Sequence, residues 1–88
     1  MATTLKLEIV TPEAIAYSEQ VDMVVLPGTE GELGVLAGHA PLIAALGPGR
    51  IILKESPAGE RVFKCAGGGM LEVLKNNVTI LIDQDRIS

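Results

Sequence analysis

No segment of this chain sustains a 3.6-residue apolar period, whereas period-two alternation recurs in short runs, each stopped by glycine, proline or asparagine. That punctuation restricts the fold more than any other feature. Leu5, Leu7 and Ile9 alternate with Lys6 and Glu8, the pattern of a strand with one buried and one wet face, and Thr11-Pro12 ends it because proline cannot donate to a ladder. Residues 14–17 read as a second strand. Residues 21–26 (VDMVVL) read as a third, apolar enough to be covered on most of both faces and stopped by Pro27-Gly28. Residues 41–46 (PLIAAL) are too few for a stable helix between Pro41 and Gly47-Pro48-Gly49, so they too read as a strand. Residues 50–54 and 61–65 flank a turn at 55–60 (ESPAGE), and Gly67-Gly68-Gly69 breaks or bends the ladder that follows. Residues 70–74 and 78–82 flank Lys75-Asn76-Asn77, whose asparagines tolerate positive φ and favour a tight hairpin; beyond Ile82 the pattern reads as a strand end running into a polar tail.

Eight to ten short strands with such regular turns predict an all-β fold, a single β-sandwich or flattened barrel. At 88 residues there is room for one domain, which buries roughly two-thirds of its unfolded surface. Aromatic residues are only 2% of the chain, so the core is built from Val, Ile, Leu, Ala and Met. The single cysteine, Cys65, excludes an intramolecular disulfide and suits a reducing compartment. One cysteine with one histidine cannot complete a zinc site from soft ligands. No basic segment followed by a long apolar run opens the chain, and no apolar run approaches the ~20 residues of a membrane span.

Chemistry concentrates in residues 28–41, GTEGELGVLAGHAP, which read as a loop holding the only histidine. As a phosphate cradle it fails: Gly28, Gly31, Gly34 and Gly38 are interleaved with Glu30 and Glu32, and no lysine is near. As a metal site it offers Glu30, Glu32 and His39 without a regular element to hold them. As a catalytic site it could pair Glu32 with His39, or Cys65 with His39, yet Cys65 sits in a strand pattern where cysteine acts as a small hydrophobe. Neither catalytic residue, nor metal, nor cofactor is therefore expected. A carrier domain of the biotinyl or lipoyl kind stays as an alternative, since such domains are small sandwiches presenting a hairpin lysine and Lys75 lies beside the Asn76-Asn77 turn. The reading the residues favour is a docking module. The formal net charge is -4, and from Leu7 to Gly49 there are six acids (Glu8, Glu13, Glu19, Asp22, Glu30, Glu32) with no lysine or arginine, so the field repels nucleic acid and attracts a basic protein surface.

Nearly the whole chain, in order, also resembles one family. Leu7 to Pro12 (LEIVTP), Pro27 to Leu36 (PGTEGELGVL), Gly38 to Leu42 (GHAPL), Leu46 to Gly49 (LGPG), Gly67 to Val73 (GGGMLEV) and Asn77 to Leu81 (NVTIL) are similar to the N-terminal sandwich of epsilon subunits of bacterial and chloroplast ATP synthases, equivalent to mitochondrial delta. The resemblance implies a central-stalk rotor subunit, not an enzyme, that couples ion-driven rotation to ATP synthesis on the cytoplasmic face of the bacterial plasma membrane. It implies two partners and no nucleic acid. Glu30, Gly31, Glu32, Leu33 and Gly34 would face the membrane rotor ring, with Glu32 meeting a basic ring loop, and His39, Ala40 and Pro41 would face the gamma subunit. Family members continue as an inhibitory helical hairpin, which residues 1–88 lack, so little autoinhibition of ATP hydrolysis is expected of them.

Overall fold

Apolar residues at every second position need a facing layer, and the chain supplies it by curling one sheet over onto itself. The computed structural model describes residues 4–12, 15–55, 59–65, 68–82 and 85–87. Over them run ten strands: β1 (Leu5–Val10), β2 (Ile15–Val21), β3 (Met23–Gly28), β4 (Gly31–Leu36), β5 (Leu42–Leu46), β6 (Gly49–Glu55), β7 (Gly59–Cys65), β8 (Gly69–Leu74), β9 (Asn77–Ile82) and β10 (Asp85–Ile87). They pair in the order β10-β7-β6-β3-β5-β8-β9-β1-β2, with β4 attached to β3 off that path. β1 and β9 run parallel, and the other pairs are antiparallel. The expected all-β sandwich, or flattened barrel, is the architecture.

Alternation decides what lies inside. Leu5, Leu7 and Ile9 are buried, as are Leu71 and Val73 on β8 and Val78, Ile80 and Ile82 on β9. The two aromatics close the seam where β2 approaches the β6–β7 hairpin: Tyr17 and Phe63 meet edge to face, with centroids 5.4 Å apart, and the Arg61 guanidinium lies 5.5 Å from the Tyr17 ring centroid. β3 belongs to both halves of the fold. Met23, Val24 and Val25 pair with β6, whereas Gly28 pairs with Leu46 of β5. The changeover falls at Pro27, which has no N–H to give either neighbour, and its carbonyl instead accepts the Gly47 N–H at 2.7 Å.

Several local expectations are corrected. The segment 28–41 is not one loop, because Gly31–Leu36 forms β4 against the whole of β3; two glycines and the acid Glu32 hide the alternation of a mostly exposed edge strand. The second strand does not stop at Tyr17 but continues through the polar Ser18-Glu19-Gln20 to Val21, which its inward position buries. The third therefore begins at Met23, and Pro27-Gly28 lies inside it. The two residues at the β8–β9 turn are Lys75 and Asn76, with φ of 50° and 62°, while Asn77 already pairs in β9. The polar tail is not wholly tail, since Asp85–Ile87 pairs with β7. Ala14, residues 56–58 of the 55–60 turn and Gly67 lie outside the described residues.

Candidate functional site

The pairing of β3 with β4 carries the acidic motif to one end of the sandwich. Pro27 opposes Glu32 and Gly28 opposes Gly31, so Thr29-Glu30 forms the hairpin tip. Glu30, Gly31, Glu32 and Gly34 are exposed, while Leu33 leans on the core. Glu32 and Leu33 also line an open groove toward Ile43, Ala44 and Ala45 of β5. Among the described residues neither Glu30 nor Glu32 has an ion-pair partner; the pairs Lys54–Glu60 and Arg61–Glu55, each 3.8 Å, lie on the β6–β7 hairpin. The tip thus offers two hydrated carboxylates to a cation from outside.

β4 then carries the chain to the opposite end, where residues 37–41 turn it into β5. The His39 N–H donates to the Leu36 carbonyl at 3.1 Å, and Gly38 takes φ +87°, the geometry of a type II turn whose third residue needs positive φ. The Gly38 N–H, unused by that turn, donates to Asn76 Oδ1 at 2.7 Å. His39 is half-buried, with Ala40 and Pro41 exposed beside it. Its Nδ1 lies 2.7 Å from the Ala40 carbonyl oxygen, which can only accept; the neutral ring therefore carries its proton on Nδ1 and presents Nε2 as an acceptor.

This arrangement separates what the sequence placed together. Glu32 lies near the start of β4 and His39 in the turn beyond its end, with about 13 Å of strand rise from Glu32 to Leu36 between them, beyond any acid–base contact. Cys65 is buried in β7 opposite Gly49, at the Glu30 end, and does not meet His39 either. No group of three His, Cys, Asp or Glu side chains that could hold a metal ion occurs among the described residues. Lys75 occupies the hairpin tip a carrier lysine would need, but its neighbour Asn76 ties that tip to the 37–41 loop.

Sequence reasoning missed an apolar surface that only strand register assembles. Ala45 opposes Met70, Met70 opposes Leu81, Leu81 opposes Val10, and Val10 opposes Ile15, forming one row across five strands. The row points outward: Met70 is 43% exposed, Leu81 49% and Ile15 58%. Along β5 the outward positions Ile43, 67% exposed, and Ala45 extend it toward Pro41 and His39. The result is an L-shaped apolar area joining the histidine loop to the acidic end. A contiguous apolar patch of this kind has the surface character that suits a protein partner.

The sequence profile of the family described as ATP synthase, Delta/Epsilon chain, beta-sandwich domain matches residues 4–85. The chain belongs to this family. Among curated delta/epsilon relatives, the ATP synthase epsilon chain of Desulforamulus reducens is 45% identical over 84 residues, covering 94% of this chain and 61% of the relative. That of Carboxydothermus hydrogenoformans is 48% identical over 81 residues, covering 92% and 59%. This delta/epsilon sandwich thus spans about three-fifths of the length of those relatives. The fold recurs in a chain of the Euglena gracilis mitochondrial ATP synthase OSCP/F1/c-ring structure, with TM-score 0.91 at 22% identity over 99% of this chain and 55% of that one. It recurs again in the Tetrahymena thermophila mitochondrial ATP synthase central stalk/c-ring structure, with TM-score 0.76 at 16% identity over 94% and 66%.

Proposed function

We propose that this sandwich is a non-catalytic rotor-stalk module of a rotary ATP synthase, docking on the gamma subunit and on the membrane rotor ring so that ion-driven rotation is passed to ATP synthesis. The observation that carries the reading is the division of one rigid domain into unlike contact surfaces: an unpaired acidic tip at Glu30–Glu32, and an apolar area running to His39. The tip suits the polar, basic loops of a ring, with Glu32 as the pairing carboxylate and Gly31, Leu33 and Gly34 shaping the strand that presents it. The apolar area, ending in His39, Ala40 and Pro41, suits the flank of gamma. In this role the chain is peripheral to the membrane, on its cytoplasmic face in a bacterium. In this reading residues 1–88 carry docking and coupling.

The test is co-purification with gamma alone and with a gamma–ring assembly. The chain is expected to be retained by both at low salt. Glu32→Lys is expected to weaken retention by the ring on the order of tenfold, with gamma binding and fold unchanged, because charge reversal at an exposed contact acts on encounter and salt dependence. A chain that binds neither partner at low salt contradicts the reading.

A further inference from the structure

Asn76 holds three elements at once. Its φ of 62°, with Lys75 at 50°, makes the β8–β9 connection a two-residue type I′ turn. Its backbone carbonyl accepts the Lys6 N–H at 2.9 Å, at the start of β1. Its side-chain Oδ1 accepts the Gly38 N–H at 2.7 Å, 38 residues away in sequence. That last bond is not required by either turn. The Leu36–His39 turn closes on its own hydrogen bond, and a type I′ turn needs only a residue at ease with positive φ at this position. The Gly38 N–H has no partner within its own turn, so without Oδ1 it would turn to solvent and the loop would keep only the packing of Ala37 on the core and its two strand ends. Three further facts give the bond a consequence. The loop carries His39, whose Nδ1 bond to Ala40 sets the direction of Nε2. Ala40 and Pro41 are exposed next to it, and a Cβ built on Gly38 meets nothing within 4 Å, so no packing fixes the turn at Gly38 itself.

We infer that Asn76 is a positioning residue for partner docking: its Oδ1 presets the 37–41 loop so that His39, Ala40 and Pro41 meet the gamma subunit already ordered. The inference rests on the proposed docking role and names the device that prepares it. Preorganisation of this kind lowers the ordering cost of association and leaves the number of contacts unchanged.

Two substitutions separate this role from the turn itself. Asn76→Gly keeps, and by turn preference improves, the type I′ geometry while removing the acceptor; Asn76→Asp keeps both the φ tolerance and an oxygen acceptor. In the free chain, Asn76→Gly is expected to raise the Gly38 amide exchange rate by about tenfold with thermal stability undiminished, and Asn76→Asp to restore protection. For gamma binding, Asn76→Gly is expected to lose about three- to tenfold in affinity and Asn76→Asp to recover it. Unchanged Gly38 exchange in Asn76→Gly would show that the bond does not hold the loop. Faster exchange with wild-type gamma affinity would show that the preset loop does not serve docking, and either result overturns the inference. Failure of the wild-type chain to bind gamma would instead remove the docking role while leaving the exchange comparison to stand.

Discussion

Tyr17 shows how one atom can be out of place in an otherwise consistent core. Its ring packs edge-on against Phe63, but its hydroxyl is buried with no hydrogen-bond partner among the described residues. A buried hydroxyl left unpaired forfeits about 1–3 kcal/mol of hydration. Tyr17→Phe keeps the ring and removes that group, so it is expected to leave stability unchanged or raise it by about 1 kcal/mol, read as the midpoint of thermal or urea unfolding. A loss of more than about 1 kcal/mol would mean that the hydroxyl is satisfied in solution. The sequence shows that Tyr17 and Phe63 are core or rim residues, because each sits in a strand-like run; it does not show that they meet, because the contact joins β2 to β7 across the closing seam. The same limit applied at the hairpin. Asparagine's tolerance of positive φ located the turn, but only the pairing of Leu74 with Asn77 decided which two residues occupy it.

Strands were legible where one face is wet and the next residue is a breaker, as in β1, β8 and β9. They were hard to read where an edge strand is exposed on nearly all sides, and β4 was lost for that reason. The apolar row could not be read at all, since Ala45, Met70, Leu81, Val10 and Ile15 come from five strands and become neighbours only through register. At this scale two substitutions on adjacent strands should part company. Gly69→Ala would place a Cβ 2.8 Å from the Leu81 carbonyl oxygen and 3.0 Å from Ile82 Cγ2, forcing β8 from β9. It is expected to cost about 1–3 kcal/mol, a fall in melting temperature of about 5–15 °C. Leu81→Lys changes an outward side chain, so its stability is expected to stay within about 0.5 kcal/mol of wild type while gamma binding weakens on the order of tenfold or more. An unchanged melting temperature for Gly69→Ala would show that β8 and β9 can separate at no cost. Wild-type gamma affinity for Leu81→Lys would remove the apolar row from the interface.

The whole molecule is a short rigid body whose two ends and one face differ in chemistry. The β3–β4 hairpin puts carboxylates at one end, the β4–β5 turn puts an imidazole at the other, and the outward row runs between them along β5 and across to β2. The fold class was legible because turn punctuation and alternation are local properties. The resemblance to a family assigns the acidic motif and the histidine motif to two different partners, an expectation that rests on that resemblance alone. The strand that sets them apart, β4, was not legible, because a loop and an edge strand of the same sequence differ only in a pairing with β3. The proposed role requires these surfaces to meet different partners, and the decisive measurement is hydrogen–deuterium exchange of the chain free, with gamma, and with gamma plus the rotor ring. Gamma alone is expected to protect the 37–45 segment and the strand ends carrying Val10, Met70 and Leu81, and addition of the ring is expected to add protection at residues 29–34. Protection confined to the β6–β7 hairpin, or a tip at Glu30–Glu32 that exchanges equally fast with and without the ring, would contradict it.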